Sequence, residues 1–473
     1  MTIFEISSMK NIQKGTITPG LIVVSSAFII AIYAILFVLT VQLDFAHRQV
    51  ASEQSLHIAE AGINYYIWHL SKDPNDYHDG LGSQTPGPFV HDFKDPQKDT
   101  VGKYSIEITQ PDANNIVTIK STGWMLQYPK VKRTIVAQYG KVSLGSYAFV
   151  NNTNLWFGNE VTVNGKVHSN GGIRQDGTNT SNLYSAKSTY ICGLETGCPN
   201  PEEKPGIWGQ GEDDTLWEFP VPPIDFDSLN VNFNTMKEAS LTASGVYLGP
   251  GPLGYHIVFA SDGSFSIYEV TGTNFLKAFS DDNGCEDLYQ IITNETLLST
   301  YNTTDKNIVF SEANVWVEGV LNGVVTVAAA RLPLGSYTTS IWLPNNLTYV
   351  DLSGNSRLGL IAQTDIVIMR DVPDNFTVMG AVVAKDGKVI RHHYNYSGCR
   401  ESGAGATAMK NQFDFYGTMV SNKRSYWNHS SGGGQSPASG FVKSTLNFDT
   451  NMGNNPAPYF PDAQYQFLSW REE

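Results

Sequence analysis

Residues 20–41 read GLIVVSSAFIIAIYAILFVLTV, a run of 22 residues without one charge. A helix that is apolar on every face has to be buried, in protein or in lipid. At 1.5 Å per residue this run reaches about 33 Å, enough to cross the hydrocarbon core of a bilayer. It therefore predicts a transmembrane helix over 20–41. Lys10 and Lys14 precede the run, and no Lys or Arg follows until Arg48. The positive-inside rule then predicts a cytoplasmic leader over 1–19 and an extracytoplasmic body, in a single-pass protein of the cytoplasmic membrane. A cleaved secretory signal would carry a shorter apolar stretch ending at a small-residue site. Gln42, Leu43, Asp44 and Phe45 stand there instead.

Helical patterning continues past the span, over 42–72. Leu56, Ala59, Ile63, Tyr66, Ile67 and Leu70 recur at steps of three and four, predicting one apolar stripe, while Glu53, His57, Glu60 and Asn64 fall on other faces. Asp73-Pro74-Asn75 is the stop signal. From Gly20 to Leu70 such a helix extends about 76 Å. Next, 104–109, 115–120 and 131–139 alternate apolar and polar residues. Pro111-Asp112 and Ser121-Thr122-Gly123 punctuate them, predicting a small antiparallel meander within 73–145.

The second half of this helix carries Ala59-Glu60-Ala61-Gly62. This sequence, soon after a charge-free span and followed by a three-strand meander, resembles the AEAG signature of PilX-like minor type IV pilins and related pilus-assembly proteins. The resemblance implies a helix shared between lipid and a sheet, other pilin-like subunits as partners of that helix, and a place on a cell-surface pilus. It also implies prepilin-peptidase cleavage between Gly15 and Thr16. The family's glutamate at the fifth mature position is replaced here by Gly20.

From Ser146 the pattern changes. Segments 160–168, 317–327, 357–362, 378–384 and 415–420 share an apolar–Gly–apolar rhythm, as expected of stacked parallel β-helix coils over 146–219 and 305–440; a β-sandwich is the alternative. Residues 220–304 read as an inserted α/β lobe, with a helix over 226–242 and paired strands around Asp262-Gly263. The tail, 441–473, reads as a cap over an open solenoid end, with Tyr459, Phe460 and Trp470 as its aromatics. The predicted fold class is thus α+β, mostly β: a long N-terminal helix, a small pilin-like antiparallel sheet and a large parallel β-helix-like domain. The resemblance extends to this body through 165–171, 358–368 and the tail segments 456–461 and 468–472.

Net charge is -14 with no basic stripe, which excludes nucleic acid as a partner of the body. The four cysteines, Cys192, Cys198, Cys285 and Cys399, form no CxxC pair; they are disulfides of an oxidising compartment or free buried thiols, and the first two close a short loop. Chemistry is sparse. His392-His393 reads as a solvent-facing pair, since neighbouring side chains on a strand diverge. Asp281, Asp282, Asn283, Glu286 and Asp287, like Asp73, Asp76 and Asp79, are rich in oxygen but lack EF-hand spacing. Lys385, Asp386, Lys388 and Arg391 read as a charged corner rather than a catalytic groove. No nucleophile elbow, phosphate loop or dinucleotide fingerprint occurs. The expectation is a protein without catalysis, cofactor or metal. The alternative is a surface glycan-binding or carbohydrate-active β-helix protein on the same anchor, in which Trp156, Trp208, Trp217, Trp342 and Trp427 stack on sugars, although core packing accounts for most of them equally well.

Overall fold

Residues Thr18–Lys72 form one uninterrupted helix of 55 residues, α1. Pro19 sits in the first turn, where its missing N–H leaves no bond unmade. Through residue 50 every residue of the helix is exposed. The polar atoms of this stretch bond locally: Ser25 Oγ donates to the Leu21 carbonyl and Thr40 Oγ1 to that of Phe37, each at 2.8 Å. The helix stops at Asp73, whose N–H donates to the His69 carbonyl at 3.0 Å. The computed structural model describes residues 17–73, 75–82, 87–111, 116–141, 144–227, 231–251, 253–335, 337–400, 405–430, 437–461 and 465–473. It divides into two compact units, Met1–Gly140 with Phe467–Glu473, and Lys141–Gln466.

In the first unit the lower half of α1 packs on an antiparallel sheet of β1 (Phe89–Lys94), β2 (Thr100–Thr109), β3 (Ile116–Met125) and β4 (Lys132–Lys141). A last strand, Tyr465–Glu472, lies beside β4. The predicted meander is present, longer than expected and with β1 added. Its inward residues Ile106, Val117, Ile119, Ile135 and Ala137 are fully buried. The buried stripe of α1 is Ala51, Ser55, Ile58, Ala59, Gly62, Ile63, Tyr66 and Leu70. Leu56 and Ile67, expected on it, are only half-buried. The stripe centres on small residues because helix and sheet approach at backbone distance. A Cβ on Gly123 would lie 2.3 Å from the Ser55 carbonyl oxygen and 2.4 Å from the Ala59 nitrogen. Ser121-Thr122-Gly123, read as a turn, is therefore the middle of β3, held flat against the helix.

The tail also departs from expectation. Trp470 caps no solenoid end; it lies 52% exposed on the strand beside β4. Lys120 pairs with Glu473 at 2.9 Å, Arg133 pairs with Glu472, and Ser469 Oγ donates to Gln138 at 2.9 Å. Alternation in this segment suits a sheet edge, which gives it a place in the first unit.

The second unit is a stack of mostly parallel strands, which rules out the antiparallel pairing of a sandwich. One ladder runs through Gly245–Leu248, Ile308–Ser311, Val324–Ala329, Arg357–Ala362, Asn375–Ala384 and Met409–Ser421. It then continues into Phe149–Asn151, Val167–Ser169 and Leu183–Ser185. Stacking order is therefore not chain order. The chain enters in the middle of the stack, builds outward to Glu218, and restarts at the far end with Gly245. From there it winds back until its last coil meets its first. Pro437–Phe448, assigned in part to a cap, is itself a ladder strand between Met409–Ser421 and Val161–Asn164. The seam between first and last coils is closed by amides: Asn151 donates to Ser421 Oγ at 2.7 Å and Asn152 to Asn422 Oδ1 at 2.8 Å. The recurring glycines mark tight stacking. Gly380 and Gly417 are in register with φ near +149°, and a Cβ on Gly417 would lie 1.9 Å from the Gly380 oxygen.

Among the described residues of 220–304 no separate α/β lobe forms. A helix, α2, covers only Phe233–Ser240, with Asn232 as its cap accepting the Thr235 N–H. Gly245–Leu248 and Tyr255–Phe259 belong to the stack. The remainder is one long hairpin, Ser264–Ser280 and Gly284–Asn302, which begins by pairing with Tyr255–Phe259 around Asp262-Gly263 as anticipated. We call this hairpin the strap.

The helix–sheet contact leads to a direct test. Gly123→Val would drive methyl groups into the Ser55–Ala59 backbone and is expected to destabilise the first unit by about 2 kcal/mol or more. Gly20→Ala, which meets nothing within 4 Å, should leave the unfolding transition unchanged. Thermal unfolding of the detergent-solubilised chain distinguishes them.

Candidate functional site

The AEAG segment divides between two faces of α1. Ala59 is fully buried over Gly123, and a Cβ on Gly62 would lie 2.2 Å from Ser121 Oγ and 2.9 Å from the Tyr104 ring. Glu60 points outward, 3.1 Å from His57 Nδ1, and Ala61 is half-buried. Ala59 and Gly62 therefore make the contact, and Glu60 is left to the solvent side. N-terminal to the contact, α1 is long and apolar enough to cross a membrane, and none of that stretch is buried. Gly15 and Thr16 lie outside the described residues.

Below the helix, the carboxylates considered for calcium are taken up by protein donors. Asp76 accepts from the His78 and Gly80 N–H groups at 2.8 and 2.6 Å and lies 2.9 Å from His69 Nε2. Asp79 accepts from the Tyr65 hydroxyl at 2.9 Å and lies 2.7 Å from His91 Nε2. Among the described residues no group of three His, Cys, Asp or Glu side chains has a metal-holding arrangement.

The charged corner of the second unit differs most from its sequence reading. The strap tip reaches Lys388 and the neighbouring His392. Lys388 is only 4% exposed, with Nζ 2.6 Å from Asp282 at the strap tip and 3.2 Å from the Tyr426 hydroxyl. Arg391 is fully buried, donating to the carbonyls of Met369, Arg370 and Ala408, with Tyr394 and Phe441 rings beside it. Burial lowers its pKa to about 10, still far above neutrality. His392 is buried rather than solvent-facing, 3.3 Å from Glu286. His393 stacks on His429 at 4.8 Å, and burial pushes His429 down to about 3, so that ring is neutral at physiological pH. Lys385 keeps the surface position expected of it, paired with Asp386 at 3.1 Å.

The strap itself is pinned along its length. Cys285 at its tip is disulfide-bonded to Cys399, across 114 residues of sequence, and Phe279 stacks on Tyr396 at 3.9 Å. At mid-length Trp316 Nε1 donates to the Gln290 carbonyl at 2.8 Å. Near its base His256 lies between Glu295 of the strap and Glu318 of the stack, at 2.8 and 3.0 Å. The oxygen-rich tip is likewise spoken for: Asp281 by Arg424, Asp282 by Lys388, Glu286 by His392 and Ser280, Asp287 by Lys277. Lys388 and Arg391 are buried and bonded to protein groups.

The other two cysteines, Cys192 and Cys198, form the second disulfide, closing the short loop beside Tyr190 and Trp208. Of the five tryptophans singled out, Trp342 and Trp427 are more than nine-tenths buried, Trp342 against Trp316. Trp217 is half-buried. Trp156 and Trp208 flank the Arg174 guanidinium at 4.5 and 4.9 Å. Sequence reasoning missed Asn151, Tyr426 and His429, which acquire partners only when distant coils stack.

No family model matches this chain, and no curated protein does. Among solved structures, the crystal structure of the competence-associated pilin ComZ from Thermus thermophilus is similar at 16% identity, over 89% of this chain and 98% of that one, with a TM-score of 0.34.

The strap tip gives a pH test with a defined sign. Hydrogen bonding from Lys388 holds the Asp282 carboxyl below its ordinary range. Burial disfavours the Lys388 charge, but Tyr426 and Asp282 together raise its pKa. Asp282 therefore stabilises the fold above its unfolded pKa of about 4, and loses that contribution as pH falls through the lower folded value. Lys388 contributes fully below about 10.4 and loses its contribution as pH rises through the higher folded value. Asp282→Asn is expected to speed proteolytic nicking at the strap tip at pH 7. That difference from the parent chain should shrink as pH falls through the lowered folded pKa of Asp282, where the parent carboxyl becomes neutral as the amide already is; pepsin serves at the acid end.

Proposed function

We propose that the chain is a membrane-anchored minor pilin or pseudopilin of the PilX-like kind, serving a type IV pilus-type machine in a structural or assembly role without catalysis. One observation carries this reading: α1 is exposed through residue 50 and then, from Ala51, buried against an antiparallel sheet by its small residues. A plain anchor with a free stalk would need no such buried second half. In this reading the N-terminus is cytoplasmic and both units are extracytoplasmic. The apolar half of α1 rests in the bilayer and then against the helices of other pilin-like subunits.

The parallel ladders of the second unit support its assignment as a β-helix-like body displayed at a pilus tip or on the cell surface. Its size suits a tip or a low-abundance position better than repetition along a fibre. Gly20 leaves this subunit without the carboxylate that would form a charge pair within the bilayer, which favours the same placement. The two disulfides fit an oxidising compartment outside the cytoplasm.

Deleting residues 16–41 is expected to shift the protein from membrane and sheared-pilus fractions to the soluble fraction. A deletion variant that stays in either fraction overturns the anchoring role. The mature protein is expected to begin at Thr16; an intact Met1 on N-terminal sequencing removes the prepilin pathway and leaves a plain anchor.

A further inference from the structure

A cavity opens at the seam where the first coil of the second unit meets the last. It offers about 100 Å³ to water centres, against roughly 10–15 Å³ for a single water. That is room for a small ring. Its apolar walls include Trp156, Phe157, Tyr426 and Trp427, so flat faces line a site that also carries charge of both signs. Glu160 and Arg424 both reach the lining, with Asn428 between first and last coils.

The polar groups are unequally satisfied. Arg424 is committed to the Glu195 carbonyl and to Asp281. Glu160 Oε1 accepts from Asn428 Nδ2 at 3.4 Å. Glu160 Oε2, by contrast, is buried and has no hydrogen-bond partner among the described residues. A buried oxygen in that state is costly unless something donates to it. The ligand must therefore bring a donor. A cationic donor would face the Arg424 guanidinium, and an anion would face Glu160 and the neighbouring Glu195. A neutral ring with hydroxyl donors and acceptors, and a C–H face to lay on an aromatic wall, meets every requirement at once.

We propose that this cavity binds a single neutral pyranose ring, with one ring hydroxyl donating to Glu160 Oε2 and the C–H face stacked on an aromatic wall. The inference concerns the second unit alone and does not depend on the anchoring role. It narrows glycan recognition from five tryptophans to the two, Trp156 and Trp427, that share a cavity. Trp217, Trp342 and Trp208 take no part in it.

The test uses the detergent-solubilised full chain and a panel of methyl pyranosides (glucoside, galactoside, mannoside and N-acetylglucosaminide), with choline and inorganic sulfate as charged probes. Saturation-transfer NMR and titration calorimetry read the binding. At least one pyranoside is expected to bind with a Kd below about 10 mM, and Glu160→Gln is expected to weaken it about tenfold. Val161→Phe, which fills the cavity from its wall, should abolish binding, and a variant counts only if its thermal unfolding matches the parent chain. The proposal is overturned if no pyranoside binds in that range. Tighter binding of choline or sulfate, or unchanged affinity in a folded variant, also overturns it.

Discussion

The contact between the α1 backbone and β3 governs the first unit. A helix that is apolar and exposed over its first half still has to be held by protein over its second. Here it is held at backbone distance. Gly123 and Gly62 remove the two side-chain carbons that would keep helix and sheet apart, and Ala59 fills the small space that remains. Each glycine gives up helix or strand propensity, about 1 kcal/mol in the helix, in exchange for dispersion contacts that need near-touching surfaces. The result is a rigid grip on one stripe of α1, leaving the outward face, with Glu60 and His57, to solvent.

The second unit solves a different problem with different means. A parallel stack buries apolar strands well but leaves corners and seams full of backbone and amide groups. Side-chain amides such as Asn151 and Asn152 close the seam. The strap tip holds Lys388 and His392 through Asp282 and Glu286. Arg391 remains charged in the interior because four carbonyls accept from its two terminal nitrogens, although its Nε has no partner among the described residues.

Much of this was legible from the chain, and the misses have common causes. The charge-free run, the stop at Asp73 and the period-2 strands of the meander are local signals, and they correspond to α1 and to β2–β4. The stripe of α1 was misjudged because hydrophobicity ranks Leu56 and Ile67 above Ser55 and Gly62, whereas the fold selects for size. Ser121-Thr122-Gly123 resembles a turn by composition, and only the helix pressed against it explains a glycine in mid-strand. Lys388 and His392 read as surface residues because their partners Asp282 and Glu286 lie far earlier in the chain, and Arg391 because the carbonyls and rings around it come from several separate segments. The disulfide partners Cys285 and Cys399 share that long reach. As for the cavity at the seam, neither coil contains it alone; the tryptophans were visible, but their meeting with Glu160 was not.

The return of the last coil to the first has a bearing on biosynthesis. As the chain emerges, 149–218 appear well before 409–448, yet the ladder position between Phe149–Asn151 and the far coils stays empty until the latter arrive. During that interval the early coils present an open parallel edge, a surface prone to mispairing with other chains. The first unit waits as well, since its sheet is completed by Tyr465–Glu472 beside β4. Vectorial folding, one unit finished before the next begins, is therefore closed to this protein. Both units reach completion together, once Tyr465–Glu472 has been made, and a chain arrested before Met409 is left with two unfinished sheets rather than one finished half.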